Sequence, residues 1–204
     1  MNKGAWDLYA PIYKRIMRGE QKKFRAVYDD VFEAVRGKRV LEIGTGPGVL
    51  AKNIASISKE VVATDYSEKM INEAKKDGGA ENLVFEVADA HELPYMDKDF
   101  DVVIIANVLH VIPKPEIALK EIDRVLKDEG VLIAPNYIHK TQKSKAKLWY
   151  KILKIAGIKF ENSWTDDEYV EFLNKNGWKV IKKKFLDTRI AMLYLECKRA
   201  KECI

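Results

Sequence analysis

Val40-Leu41-Glu42-Ile43-Gly44-Thr45-Gly46-Pro47-Gly48 decides the fold. A short apolar run meets three glycines within five residues, and a helical pattern starts at Val49. Glycine is needed where backbone approaches a ligand closely or turns to positive φ. The helix that follows offers free N–H groups at its start. Strand, glycine turn and helix together form one side of a nucleotide-type cofactor site at the carboxyl end of a first strand. The spacing departs from the commonest variants. A dinucleotide fingerprint reads G-x-G-x-x-G, whereas here the third glycine's place is Val49. No phosphate-binding lysine of the Walker type follows. Glu42 precedes the turn, where a carboxylate repels a diphosphate and suits a cation. A sulfonium with an amino-acid tail fits that electrostatic logic.

Outward from this loop, short β-rich runs alternate with helical patterns, the sign of βαβ units and a parallel sheet. Strands are expected at Arg39–Ile43, Val61–Thr64, Leu83–Val87, Val102–Ala106 and Val131–Asn136, each apolar enough to be covered on both faces. Helices are expected over Val49–Ser58, Ser67–Lys76 and Pro115–Lys127, the last closed by a turn at Asp128-Glu129-Gly130. A further helix covers Asp166–Asn176, with Thr165 as N-cap, Glu168 as capping-box partner and Gly177 as C-cap. Trp178–Leu186 and Ile190–Glu196 read as strands joined by Asp187-Thr188-Arg189, a link that permits only an antiparallel pair. The expected class is α/β: a Rossmann-like, doubly wound, seven-stranded sheet of five parallel strands plus an antiparallel edge hairpin. One domain is expected, divided into an N-terminal helical lid (1–37), a cofactor-binding core (38–137), a basic helical insertion (138–163) and a C-terminal helix and hairpin (164–204).

Composition supports a single globular unit. The chain has 204 residues, 47% hydrophobic and 33% charged, which excludes disorder for its bulk. No apolar run is long enough for a membrane span, and the first twenty residues lack the apolar stretch of a secretory signal. Cys197 and Cys203 cannot build a disulfide framework, and a cytoplasmic location is expected. Three histidines and two cysteines show no zinc spacing, so no metal is expected. The net charge is +5, but seven lysines and no acid lie between Lys140 and Lys159, leaving 5 − 7 = −2 elsewhere.

Four consecutive strand ends carry a glycine or polar feature. After the glycine loop comes Asp65, placed to accept hydrogen bonds from both ribose hydroxyls of an adenosine. Ala88-Asp89-Ala90 follows the third strand, where Asp89 can accept from an adenine amino group. Ala106-Asn107-Val108-Leu109-His110 follows the fourth. Each alone is weak; the four in order are specific.

On these residues the segment from Val40 to Asn136 resembles a class I S-adenosylmethionine-dependent methyltransferase. It is similar to the group that includes ubiquinone/menaquinone C-methyltransferases and many small-molecule and phospholipid methyltransferases. LEIGTGPG resembles motif I, VVATDYSEKM the second acidic motif, ADAHELPYMDKDFDVVI the third and fourth, and LKEIDRVLKDEGVLIAPN helix D and the fifth strand. The resemblance specifies fold and cofactor, not acceptor. It implies that Glu42, Gly44 and Gly46 surround the methionine part of S-adenosylmethionine, with Thr45 adding a hydroxyl contact and Gly48 completing the loop. It implies that Asp65 holds the ribose, Tyr66 and Met70 lie against the adenine, Asp89 and Ala90 bind its edge, and Asn107 lines the methyl side. Tyr9 and Tyr13 would close the pocket. The product would be S-adenosylhomocysteine.

Such a transfer needs an acceptor held in line with the S–CH₃ bond, and a base only if the acceptor must lose a proton. His110 faces the cleft as a candidate general base or serves as a packing histidine; His139, past the fifth strand, is a weaker candidate on the acceptor side. The run after the fourth strand, Asn107-Val108-Leu109-His110, departs from the N/D-P-P-Y/F of base-directed aminomethyltransferases, so DNA is not expected as a partner. In the insertion, Lys147, Lys151 and Lys154 share one helical face and Trp149, Ile152, Leu153 and Ala156 the other. That helix caps the active site or, through 140–159, lies at a membrane headgroup surface. A small-molecule or lipid acceptor is expected, in a monomer or homodimer. The rival readings are an RNA or protein methyltransferase, a nonenzymatic cofactor-binding regulator, and an NAD-dependent oxidoreductase.

Overall fold

The structure is a computed structural model, and it describes residue 7 and residues 28–138, 161–186 and 191–200. Helical residues 28–35 form α1. The order continues β1 (Arg39–Ile43), α2 (Val49–Ala55), β2 (Glu60–Asp65), α3 (Glu68–Lys76), β3 (Leu83–Val87), β4 (Phe100–Ile105) and α4 (Pro115–Val125). It closes with β5 (Leu126–Ile133), β6 (Asn136–Tyr137), α5 (Asp166–Lys175), β7 (Trp178–Leu186) and β8 (Met192–Arg199).

Strands β3-β2-β1-β4-β5 are parallel neighbours in that order. β8 runs antiparallel beside β5 and β6, and β7 pairs with the far side of β8. The chain therefore leaves β1 in one direction toward β2 and β3, then returns to place β4 on its other side. This reversal is the switch point at which α/β sheets open a crevice beyond the strands' carboxyl ends.

Side chains alternate along each strand and build two cores. Leu41, Ile43, Val103 and Ile105 join Leu119 and Ile122 of α4 and Tyr169 and Leu173 of α5. Val40, Val61, Val102 and Ile104 join Val31 and Val35 of α1, Ile54 of α2 and Ile71 of α3 on the opposite face. The helix starts follow local chemistry. Ser67 caps α3 by accepting from the Met70 N–H, and Thr165 and Glu168 form a reciprocal capping box on α5.

Among the described residues the sheet has eight strands rather than seven, because the expected fifth strand breaks at Ala134-Pro135 and resumes as β6 along the same edge of β8. Proline has no N–H for a ladder. Its carbonyl instead accepts from the Asn107 N–H at 2.8 Å. The helix expected to reach Lys127 stops at Val125, where Leu126 turns extended and enters β5. Asp128-Glu129-Gly130 lies inside β5 as a register shift against Phe100–Val102, not as a turn between helix and strand. The last strand, Met192–Arg199, runs past the expected Glu196 to Arg199, and Ile190 lies outside the described residues. Asn176 is the C-cap of α5, and Gly177 follows it at φ +83°.

β3 was expected to be covered on both faces, yet Val84 and Val87 are 43% and 48% exposed. β3 is the sheet's edge, and residues 88–99 contain no helix to cover it. Most of the expected lid (1–37), most of the insertion (138–163) and the link 187–189 lie outside the described residues, as does Cys203. Among the described residues no helix is long and apolar enough to cross a membrane.

Candidate active site

The glycine loop is bound to the end of β2 rather than hanging free. Thr45 N–H donates to the Thr64 carbonyl at 2.8 Å, and Gly46 N–H to Asp65 Oδ2 at 2.9 Å. Gly44, Gly46 and Gly48 all have positive φ, at +73°, +56° and +75°. Two of them also make room for the protein itself. A Cβ on Gly44 would lie 2.2 Å from Val108 Cγ2, and one on Gly48 would lie 2.7 Å from the Phe85 ring.

Strand parity turns Glu42 away from the cleft. Val40 and Glu42 share the β1 face that α2 covers, and Glu42 is only 3% exposed. It accepts from Thr45 Oγ1 at 2.8 Å and from the Ala51 N–H. Burial pushes its carboxyl up to about 7, and the Asp65 charge adds to the rise, against the two hydrogen bonds. The folded chain thus binds a proton that the unfolded chain has released between about pH 4.5 and 7. Stability attributable to this group falls as pH rises through that window, by on the order of 3 kcal/mol. Glu42→Gln is expected to remove the slope; urea unfolding of both proteins across pH 5 to 8 checks it.

Asp65 closes the other wall. Its second oxygen, Oδ1, accepts from the Ser67 N–H at 2.9 Å. Burial raises its pKa, and the Ser67 and Gly46 donors pull it down. Ser67 Oγ in turn donates to Asp7 at 2.5 Å.

Between these walls lies a solvent-open cleft of about 630 Å³. Gly44, Gly46, Asp65, Tyr66, Met70, Ala90 and Asn107 line it. Glu42, Thr45, Gly48 and Asp89 do not form its wall; the first two satisfy each other inside the loop. Asp89 Oδ1 accepts from the His91 N–H at 2.9 Å and faces His91 Nδ1 at 2.8 Å, while His91 Nε2 meets the Pro113 carbonyl at 2.7 Å. Asp89 therefore stiffens the turn that presents Ala88 and Ala90. Tyr9, Tyr13 and His139 lie outside the described residues.

Sequence reasoning missed Ile43, Ser67, Ala88, Ala106, Val108 and Val111 in the wall. All are neighbours of the residues it named, so adjacency to each strand end was the available signal.

Beyond β4, Asn107 holds φ +55°, a strained value for a residue with a Cβ. Its Nδ2 reaches Met192 Sδ at 3.8 Å, and its buried Oδ1 has no partner among the described residues. His110, 4% exposed, places Nδ1 2.6 Å from Asn136 Oδ1 and meets the Tyr137 ring edge-on at 5.6 Å. Among the described residues no group of three His, Cys, Asp or Glu side chains is placed to hold a metal.

The cleft suits a cationic nucleoside. Asp65 supplies an acceptor, and Ile43, Met70, Ala90 and Val111 supply apolar surface for a ring. Sheet order, glycine loop and strand-end acid together define a Rossmann-like cofactor-binding fold.

Residues 41–134 match the family described as "Methyltransferase domain". The chain is 33% identical over 123 residues to a demethylmenaquinone methyltransferase of Renibacterium salmoninarum, covering 60% of this chain and 51% of that one. It is 32% identical over 134 residues to a fatty-acid O-methyltransferase of Mycolicibacterium smegmatis, covering 62% and 49%. The solved DhpI–SAH complex superposes with a TM-score of 0.78 at 18% identity, covering 98% of this chain and 96% of that one. The likeness to methyltransferases is carried by this matched segment, residues 41–134, which is somewhat under half of the chain. The chain spans about half the length of the curated relatives it matches.

Proposed function

We propose that the chain transfers a methyl group from S-adenosylmethionine to an apolar small-molecule or lipid acceptor, leaving S-adenosylhomocysteine. The observation that carries this reading is the Gly46–Asp65 bond, which joins the glycine loop and the end of β2 into one cleft at the switch point. When bound, the cofactor supplies an activated methyl on a positively charged sulfur.

The protein's own residues do the rest. Asp65 retains lone pairs beyond those taken by Gly46 and Ser67, enough to hold a ribose diol. Met70, Ala90 and Val111 shield a flat ring from water. Asn107 lines the cleft just past β4. The acceptor would approach from the side of Asn107 and His110, in line with the bond to be broken, and His110 would take its proton. Two relatives, a demethylmenaquinone methyltransferase and a fatty-acid O-methyltransferase, support an apolar acceptor with an oxygen-bearing head.

The test is incubation of the purified chain with methyl-tritiated S-adenosylmethionine and a panel of reduced quinones, fatty acids, total lipid, RNA and protein. Label in an organic-extractable product is expected. Label only in the RNA or protein fraction, or no calorimetric binding of S-adenosylhomocysteine, would overturn the proposal.

A further inference from the structure

Residues 108–112, which follow β4, are buried yet form neither helix nor strand. Their carbonyls have no ladder to supply donors, and a buried carbonyl left unpaired costs free energy. Val108 meets this need locally: its carbonyl accepts from the Val111 and Ile112 N–H groups at 2.9 and 3.2 Å. Three further carbonyls are met by a single residue about 50 positions along the chain. Asn162 N–H donates to the His110 carbonyl at 3.1 Å, and its Nδ2 donates to the Leu109 and Ile112 carbonyls at 3.2 and 2.9 Å. An asparagine carries one backbone and two side-chain N–H donors, so all three are spent on this turn.

The clasp has a rigid mount. Asn162 stands just before the Thr165 capping box of α5. Trp164, between them, stacks on Phe172 at 4.8 Å, and Tyr169 of the same helix donates its hydroxyl to the Ala134 carbonyl at 3.0 Å. On its other side the turn meets the cleft. Val108 and Val111 line it, and Val108 is the side chain that a Cβ on Gly44 would strike. The turn also opens on Asn107, whose strained φ persists only where the surroundings hold it. The bond from Asn107 N–H to the Pro135 carbonyl holds one end of the turn, and Asn162 holds the other.

We propose that Asn162 is a positioning residue for the cofactor cleft: from the start of α5 it clasps the turn 108–112 and keeps Val108 and Val111 in the wall. This rests on the proposed cofactor reading for what the wall touches, though not for the clasp itself. The effect is one of populations. A turn freed of the clasp spends part of its time away from the wall, and the apparent affinity falls by the fraction of time the wall is intact. A second asparagine clasp supplies the control. Asn82 Nδ2 donates to the Ala55 and Ser58 carbonyls at 2.8 and 3.0 Å. It stands at the amino end of β3, whereas the cleft lies beyond the strands' carboxyl ends.

The test is calorimetric titration of the full chain with S-adenosylhomocysteine, at a temperature where every variant is folded. Asn162→Ala is expected to weaken binding about tenfold, and Asn162→Ser, which keeps one donor, by less. Asn82→Ala should lower the melting temperature comparably and leave the affinity unchanged. Hydrogen exchange at the Val111 and Ile112 amides should quicken in Asn162→Ala and slow again when S-adenosylhomocysteine is added. Unchanged affinity in Asn162→Ala, or an equal loss in Asn82→Ala, would overturn the inference; if Asn162→Ala fails to fold, unchanged affinity in Asn162→Ser would do so. A wild-type chain that binds no S-adenosylhomocysteine would instead bring down the cofactor reading, and the inference with it.

Discussion

Asp65→Ala is expected to weaken S-adenosylhomocysteine binding by about 100-fold or more, measured by calorimetry. The carboxylate sits at the cleft with lone pairs to spare after serving Gly46 and Ser67. A ribose diol would lose two charge-assisted bonds, each contributing about 1.5–3 kcal/mol. The variant also removes one of the two bonds that tie the glycine loop to the end of β2, so the loss should exceed that of a peripheral contact. Asp65→Asn keeps one carbonyl oxygen and should fall between the two. Unchanged affinity in the alanine variant would remove Asp65 from the site.

Gly44→Ala is expected to destabilise the chain by about 3 kcal/mol in urea unfolding. Part of the cost is the φ of +73°, and part is the 2.2 Å approach to Val108 Cγ2. Valine has little rotamer freedom with which to yield. The double variant Gly44→Ala/Val108→Ala should therefore recover most of the steric part, a coupling of about 1–2 kcal/mol. Additive losses would show that Val108 is not the obstacle.

The sheet was legible because parallel strands covered on both sides read as apolar runs: Arg39–Ile43 and Leu83–Val87 appear with the expected bounds. Legibility failed where one residue's backbone chemistry overrode the run. Pro135 splits an apolar stretch that otherwise looks continuous. β3 is apolar in composition but edge-placed, a property of the topology and of the short, helix-free connection after it. In the site, residue types were readable but their directions were not. Glu42 and Asp65 are both acids at strand ends, yet only Asp65 lines the cleft, because parity turns Glu42 under α2. Asn136, the amide closing the run VLIAPN, meets His110 from 26 residues away, a contact that only the fold creates.

The placement of β8 has a consequence for biogenesis. Residues 192–199 are wedged between β5/β6 and β7, and they seal Leu132 and Ile133 from one side. A nascent chain halted before them would carry an unzipped sheet with adhesive backbone along β5, however complete its cofactor cradle. Maturation of the cleft-bearing half should therefore wait on a strand that contributes little to the cleft, and ribosome-stalled fragments ending near 186 should need chaperone shelter.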